Sequence, residues 1–299
     1  MEEETEDEKL AIIGSYASAR MAHEAGLSVL ACGQPYWVRI VEGRYLLVVL
    51  GEDARRLKRE VDETEAKNRF WPPRGLDLSA PSTAKWPTAG LVGLLVVMFA
   101  LQNEFPALAD AGLNSREGLI AGEWWRVLTA VSLHADVGHL AGNLMGLSLF
   151  AYLSCRYMGS GLAWTLVLLS AGLANLSNAL LRASESFSSL GASTAVFAAL
   201  GLLAGYPVGS YLRARVEIQT RDWLVPFFGG CVAFAWMGGG EFPTDVAGHV
   251  WSFGYGSLFG AVAAWSGLSK RLGKVAQGGL LALVGLGLLL SWLLALGTI

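Results

Sequence analysis

Seven apolar segments follow residue 87, and they limit what this chain can fold into more than any other feature. They lie near 88–102, 139–155, 161–181, 193–206, 223–239, 246–266 and 277–297. A helix that crosses a bilayer needs about 20 mostly apolar residues, which the last segment supplies without interruption. The fourth segment is shorter, so we expect the loop before it to dip into the membrane, or the helix to begin below the surface. The pattern predicts an all-α polytopic membrane protein.

Charge divides the chain into two parts. Residues 1–85 hold 12 of the 22 Lys and Arg and 15 of the 25 Asp and Glu, whereas the remaining 214 residues hold only 20 charges. A soluble part followed by a membrane part explains this separation. The expected regions are an acidic tail at 1–10, a small soluble α+β domain at 11–70, a linker at 71–87, a six-span core at 88–266, and a basic loop with a seventh span at 267–299.

The soluble part reads as a helix, a hairpin and a second helix. We expect the first helix from Ser15 to about Ala31 and the second over 52–68, with strands at 36–41 and 45–49 between them. Glu42-Gly43 makes the short turn that such a hairpin needs. No arrangement of residues typical of catalysis is found here.

A serine and a histidine stand at the start of two different apolar segments. Ser193 begins the fourth, and His249 lies near the start of the sixth. Polar side chains are costly in hydrocarbon, and those that persist usually face a cavity with a function. A serine needs a base to become a strong nucleophile, and an imidazole is such a base. We expect a Ser–His dyad rather than a triad, because Asp245 is one turn before His249 but near the water.

The distribution of Lys and Arg gives the direction of the spans. With the N-terminus in the cytoplasm, the inside loops carry seven of these residues and the outside stretches carry three, which fits the positive-inside rule. The C-terminus is then external. Even-numbered spans run from outside inward, so Ser193, His249 and His139 all lie at shallow depth near the outer face.

Two further side chains supply hydrogen-bond donors at that depth. His139 and Asn143 are four residues apart on the second span and share a face. Imidazole and amide N–H groups aimed at one point form an oxyanion hole, which stabilises the negative charge that develops in acyl transfer. Phe197 lies on the same face as Ser193, one turn later, where it can pack on the imidazole of His249.

Small residues line two of the helices. One stripe consists of Gly248, Ser252, Gly256 and Gly260, and the other consists of Gly191, Ala195 and Ala199. Stripes of this kind let two backbones touch. If the two stripes face each other, the side chains of Ser193 and His249 come within hydrogen-bonding reach.

Taken together, these residues resemble the rhomboid family of intramembrane serine proteases. The resemblance covers about residues 86–266. It is carried by Gly191-Ala192-Ser193 with Phe197, His249 with its stripe, His134, His139 and Asn143, and Trp125-Arg126. It implies a six-helix rhomboid-like core, and the span at 277–297 is then the seventh C-terminal helix that some members have.

The resemblance also implies a role for each site residue. Ser193 is the nucleophile and His249 the base, while His139, Asn143 and the Ser193 amide hold the oxyanion. His134 is structural in the long first external loop, which in this family lies partly in the membrane, and Trp125-Arg126 anchors that loop. The implied substrates are transmembrane proteins cleaved near the outer face. We expect a bacterial inner-membrane protein with no cofactor, no metal and no nucleic-acid partner.

Three positions depart from the family pattern. Thr194 stands where a glycine commonly follows the nucleophile, Ser252 where glycine is usual, and Cys155 where an acidic residue often precedes the arginine. None of these changes removes a catalytic group, which favours an active enzyme.

Three alternatives stay open at this point. The histidines at 134, 139 and 249 could bind zinc, although a His-x4-His spacing does not place both ligands on one helical face. A rhomboid-like protein without activity could bind transmembrane clients. A transporter would have glycine-rich helices of this kind, but no intramembrane carboxylate is present for ion coupling.

Overall fold

The computed structural model describes residues 10–68, 85–181, 187–214, 229 and 245–297. The chain divides into two compact units, Met1–Asp77 and Leu78–Ile299. Most of the described residues are helical, as the apolar segments predict. Residues 1–9 of the acidic tail, 71–84 of the linker, and all of the predicted fifth span except Gly229 lie outside the described residues.

The smaller unit is an antiparallel sheet packed against two helices. Its elements are β1 Leu10–Tyr16, α1 Ala19–Ala31, β2 Trp37–Val41, β3 Arg44–Leu50 and α2 Ala54–Asn68, with a 3₁₀ turn at Gly51–Asp53. The strand order is β1-β3-β2. Leu47 and Val49 on β3 pack in one buried cluster with Val29 of α1 and Leu57 of α2, so the helices cover one face of the sheet.

Strand β1 is a correction to the sequence prediction, which began a helix at Ser15. In the structure, Ser15 and Tyr16 pair with β3. The helix begins only at Ala19, because Ser18 has an extended backbone and its side chain accepts a hydrogen bond from the Met21 amide. This is the N-cap arrangement, which fixes the start of a helix more firmly than apolar spacing does.

The predicted hairpin is present. Val41 pairs with Arg44, so only two residues form the turn between β2 and β3. Both have positive φ, 48° at Glu42 and 76° at Gly43. A two-residue turn of this handedness matches the right-handed twist of the strands it joins.

The larger unit is a bundle of long helices with a structured loop between the first two. Its elements are α3 Lys85–Glu104, α4 Ala107–Gly112, β4 Asn114–Ser115, α5 Arg116–Ile120, α6 Arg126–Thr129, a 3₁₀ turn Ala130–Ser132, α7 Val137–Gly146, a π turn Leu147–Ala151, α8 Tyr152–Met158, α9 Ser160–Leu181, β5 Ser188–Ser189, α10 Ser193–Ala214, α11 Val246–Ser266, α12 Leu268–Arg271 and α13 Lys274–Leu296. Among the described residues, four helices are long and apolar enough to cross a membrane, namely α3, α9, α10 and α13. The second and sixth predicted segments are also helical, as α7–α8 and α11, and these carry His139, Asn143 and His249.

Helix α10 is longer than the sequence predicts. It runs for 22 residues from Ser193 to Ala214, with Pro207 inside it, so the predicted end at 206 is wrong. Proline removes one intrahelical hydrogen bond and commonly ends a helix, but close packing against a neighbour can offset that cost. The full length is enough for a span, so the short fourth segment needs no special loop on grounds of length.

Helices α10 and α11 pack with their backbones in contact. A Cβ at Gly201, Gly205 or Gly209 would overlap the α11 backbone, and one at Gly256 or Gly260 would overlap the α10 backbone. The part of the predicted α11 stripe at Gly256 and Gly260 therefore does face α10, whereas a Cβ at Gly248 would meet Asp245 and Asn178. The partner stripe on α10 is a different stripe from the one predicted.

The predicted stripe on α10 faces other elements. The Ala199 carbonyl accepts a hydrogen bond from the Ser154 hydroxyl of α8 at 3.1 Å. Ala195 lines a small apolar cavity with side chains of α3, including Leu95. Since α10 is surrounded on several sides, small residues occur on more than one of its faces, and sequence spacing alone does not tell which face meets α11.

Candidate active site

Ser193 and His249 are in direct contact. The Oγ of Ser193 lies 2.8 Å from Nε2 of His249, although the two residues are 56 positions apart in sequence. Ser193 is the first residue of α10 and His249 lies in the first turn of α11, so the helix packing described above brings the two helix starts together. Both residues are buried, with 8% and 3% of their surfaces exposed. An imidazole at this distance can take the hydroxyl proton when the hydroxyl attacks a carbonyl carbon.

Phe197 fixes the plane of the His249 ring. The two rings are stacked, with centroids 4.4 Å apart and an angle of 21° between the planes. Phe197 is itself buried, and it lies one turn after Ser193 on α10. The same helix face therefore carries the hydroxyl and the ring that orients its partner.

Asp245 stands at the start of α11, where the sequence prediction places it near the water. Its carboxylate accepts a hydrogen bond from the Gly248 amide at 3.1 Å, which caps the helix. It also accepts one from the side-chain amide of Asn178 on α9. Asp245 thus ties the helix that carries His249 to a neighbouring span, a role that the sequence analysis did not assign to either residue.

Gly191 brings the loop before α10 against His139. Its φ is +130°, a region that favours glycine. A Cβ at this position would lie 2.6 Å from Cε1 and 2.7 Å from Nε2 of His139. The Gly191 amide donates to the Ala130 carbonyl at 2.9 Å, which holds the loop in place. Only a residue without a side chain fits between the loop that leads to Ser193 and this imidazole.

Asn143 presents an unused amide close to the same loop. The residue is fully buried, and within the part of the chain that the structure describes, neither its Nδ2 nor its Oδ1 has a hydrogen-bond partner. Its Nδ2 lies 3.7 Å from the position that a Cβ on Gly191 would occupy. A buried donor without a partner costs about 1–3 kcal/mol, so such groups in native proteins call for an explanation. A ligand oxygen that binds beside this loop and accepts from the Asn143 amide is one such explanation.

His139 lies between these groups and is half-buried. Its backbone amide donates to the Asp136 carboxylate at 2.8 Å, because Asp136 caps the start of α7. This cap sets where the helix begins, and therefore places His139 and Asn143 on consecutive turns facing Gly191.

His134 is a fully buried member of the same layer. Its Nε2 accepts a hydrogen bond from the Ala192 amide at 3.4 Å, and its ring meets that of His139 edge-on with centroids 5.3 Å apart. Burial, with a smaller effect from the neighbouring His139, lowers the pKa of His134 to about 3, so the ring is neutral at physiological pH. The contact to Ala192 supports the backbone next to Ser193.

Sequence reasoning missed Gln102, which holds the backbone at His134. Its side-chain amide accepts from the His134 amide at 3.0 Å and donates to the His134 carbonyl. The signal for it was present in the sequence as a polar residue that ends the first apolar segment, at the start of the polar end of α3.

Arg126 and Trp125 belong to the loop between α3 and α7. The Arg126 guanidinium pairs with Glu123 and donates to the carbonyls of Asp110 and Leu113 at 2.8 and 2.9 Å. Trp125 is half-buried and meets the exposed Trp124 edge-on. One cation thus joins the 110–113 and 123–126 stretches of the loop.

The zinc site that the sequence left open as an alternative has no counterpart among the described residues. No group of three His, Cys, Asp or Glu side chains in those residues is arranged to hold a metal ion.

Comparison with known proteins gives two matches. The Rhomboid domain model matches residues 121–266. The Rhomboid protease GluP of Bacillus subtilis (strain 168) is 31% identical over 118 residues, which is 38% of this chain. The matched stretch spans 23% of the length of that relative.

Proposed function

Because the chain belongs to the rhomboid family of intramembrane proteases, we propose that it is itself an active serine endopeptidase that cleaves transmembrane proteins. The observation that carries this proposal is the 2.8 Å contact between the Ser193 hydroxyl and the His249 imidazole. The inactive alternative, a protein that only binds transmembrane clients, has no need for this contact in a buried layer that also holds an unused amide at Asn143.

The proposed reaction proceeds through an acyl-enzyme. The Ser193 Oγ attacks the scissile carbonyl carbon while His249 Nε2 takes its proton, and the carbonyl oxygen becomes an oxyanion. The imidazolium then gives the proton to the leaving amine as the C–N bond breaks. Water enters, His249 removes its proton, and attack on the ester releases the new carboxyl group and restores the Ser193 hydroxyl.

Three groups are proposed to stabilise the oxyanion. They are the Asn143 side-chain amide, the His139 imidazole and the backbone amide of Ser193. The first N–H groups of a helix have no partner within the helix, so the amide of Ser193 at the start of α10 is available as a donor. The burial of Asn143 and the closeness of His139 to Gly191 support this assignment, since donors in a water-poor site act strongly on developing charge.

Transmembrane proteins are the proposed substrates. A helical segment in lipid hides its carbonyls in its own hydrogen bonds, so a substrate must present an extended stretch to be cut. Helix-weakening and small residues near the outer face of the substrate are therefore expected to favour cleavage. The proposed orientation has the N-terminus in the cytoplasm of a bacterial inner membrane and the C-terminus outside.

The test uses the full chain in proteoliposomes with a single-span substrate that carries glycines near its outer end. We expect wild-type cleavage, loss of cleavage in Ser193→Ala and His249→Ala, and labelling of Ser193 by a fluorophosphonate that depends on His249. Ser210→Ala is the matched control, because Ser210 lies on the same helix, away from the candidate site, and donates to the Tyr206 carbonyl at 2.9 Å.

Two results would overturn the proposal. Cleavage that persists in Ser193→Ala would remove the assigned nucleophile. A wild-type protein that is folded and binds the substrate, but neither cleaves it nor reacts with the fluorophosphonate, would instead be the inactive client-binding protein. Excess chelator is expected to leave cleavage unchanged, and inhibition by chelator but not by an isocoumarin would favour a metal site.

A further inference from the structure

One side chain of the C-terminal helix α13 contacts the 3₁₀ turn beside the candidate site. The indole Nε1 of Trp292 donates to the Ser132 hydroxyl at 3.0 Å. We propose that Trp292 is a positioning residue for the backbone that carries Ser193, acting through the 3₁₀ turn that contains Ser132. The expected effect of Trp292 on turnover rests on the proposed function, whereas its expected effect on the mobility of the loop at Gly191 does not.

The 3₁₀ turn connects α13 to the loop at Gly191 that leads to Ser193. Ser132 is the last residue of the turn, and its hydroxyl donates to the Thr129 carbonyl at 2.7 Å. Ala130, the first residue of the turn, accepts from the Gly191 amide at 2.9 Å. A hydrogen bond from Trp292 at one end of the turn therefore restrains the carbonyl that holds Gly191 at the other end, two residues from Ser193.

Packing around the indole supports the same role. A Cβ at Gly112 would lie 2.7 Å from the ring of Trp292 and 3.0 Å from Leu133, so the indole fills the space between α4 and the residue after the turn. The Thr129 hydroxyl donates to the Gly112 carbonyl at 2.7 Å, so the residue before the turn is also bonded to α4. The indole therefore holds the 3₁₀ turn against α4 by both packing and hydrogen bonding.

A second contact ties the opposite end of α13 to the bundle. The Gln277 side-chain amide donates to the Met158 carbonyl at 2.9 Å and accepts from the Leu162 amide at 2.9 Å, at the junction between α8 and α9. At a rise of about 1.5 Å per residue, this contact lies roughly 22 Å along the helix from Trp292. A change at Gln277 loosens the same helix without touching the 3₁₀ turn, so it separates general anchoring of α13 from the specific effect proposed for Trp292.

Two measurements follow from this role. Hydrogen exchange of the segment that contains Gly191 reports the restraint on the loop directly, and it needs no activity. Turnover reports the consequence, because a looser loop places the nucleophile and the oxyanion donors correctly for a smaller part of the time. A defect of this kind lowers kcat with little change in KM, since the substrate-binding surface is unchanged.

The experiment compares Trp292→Phe, Ser132→Ala, their double variant and Gln277→Leu in the full chain. Phenylalanine keeps the ring and removes the N–H donor. We expect Trp292→Phe to exchange faster in the Gly191 segment and to lose about fivefold in kcat, which is the size of one hydrogen bond. Ser132→Ala should give a similar loss, and the double variant should lose no more than either single variant. Gln277→Leu should change neither measurement.

The inference is overturned if Trp292→Phe leaves exchange at Gly191 and kcat at their wild-type values. It is also overturned if Gln277→Leu changes both as much as Trp292→Phe does, because anchoring of α13 would then be the whole effect. Thermal unfolding of each variant, measured in detergent, checks that it is folded. If the wild-type protein does not cleave its substrate, the proposed function fails, and the exchange measurement alone then decides the role of Trp292.

Discussion

The side chain of Gln102 pairs with the backbone of His134 as one strand pairs with another, accepting from its amide at 3.0 Å and donating to its carbonyl. The pair is buried and joins the end of α3 to the loop beside the candidate site. His134 in turn accepts from the amide of Ala192, which precedes Ser193. A contact at the end of the first span is therefore connected, through one histidine, to the residue before Ser193.

Replacing Gln102 tests this connection. Gln102→Leu leaves a buried N–H and a buried C=O without partners, and each unsatisfied group costs about 1–3 kcal/mol. We expect thermal unfolding in detergent at a clearly lower temperature and a loss of cleavage. Gln102→Glu keeps an acceptor for the His134 amide and should lie between the wild type and Gln102→Leu. If both variants have the unfolding temperature and the cleavage activity of the wild type, the contact between Gln102 and His134 does not support the site.

The neutral His134 makes stability depend on pH. Its folded pKa of about 3 lies below the unfolded value near 6.5, so in the pH range between these values the unfolded state binds more protons. The free energy of unfolding therefore falls as pH drops below 6.5. Between pH 7.5 and 5.5, the His134 imidazole should account for a loss of about 1.4 kcal/mol in the free energy of unfolding.

The measurement is thermal unfolding in detergent at pH 7.5, 6.5 and 5.5 for the wild type and for His134→Gln. The variant is expected to be less stable at pH 7.5 but to lose less stability on acidification, since the group that titrates in the unfolded state is gone. Equal pH dependence in the two proteins would contradict a buried neutral imidazole at this position.

Gly191→Ala should remove activity without unfolding the protein. A methyl group there meets the His139 ring at 2.6 Å, and the φ of +130° is unfavourable for alanine, so the loop or the imidazole must move. We expect at least a tenfold loss of cleavage, equivalent to about 1.4 kcal/mol. Gly142→Ala is the matched control, because Gly142 lies on α7 in the same layer and a Cβ there meets nothing within 4 Å. Equal activity in both variants would show that the closeness of Gly191 to His139 has no effect on turnover.

The sequence predicts chemistry better than it predicts packing. Ser193 and His249 could be paired from their residue types and their places at the starts of two spans, because polar groups in apolar segments are rare. Gln102 is also a polar residue in an apolar segment, but it belongs to no recognised motif. Its pairing with the backbone of a residue 32 positions later could therefore not be predicted from the sequence.

Two of the three errors in the predicted fold show why packing is harder to predict. Strand β1 was missed because the alternation that marks it is short and runs directly into the N-cap at Ser18. The predicted stripe at Ala195 and Ala199 was assigned to the wrong neighbour, since α10 has small residues on several faces. A periodicity identifies a helix face, but which helix covers that face depends on the whole bundle. The family resemblance, by contrast, is confirmed by the matched domain.

The glycines between α10 and α11 should control the distance between Ser193 and His249. A Cβ at Gly205 would overlap the backbone at Ser257, so Gly205→Ala has to push the two helices apart. Both catalytic candidates lie at the starts of these helices, and their contact depends on a separation that small residues allow. We expect a large loss of fluorophosphonate labelling at Ser193 together with lower thermal stability. Gly254→Ala, on α11 with nothing within 4 Å of the added Cβ, should keep wild-type labelling. Full labelling of Gly205→Ala would mean that the pair tolerates a wider helix separation, and that the glycine face serves packing alone.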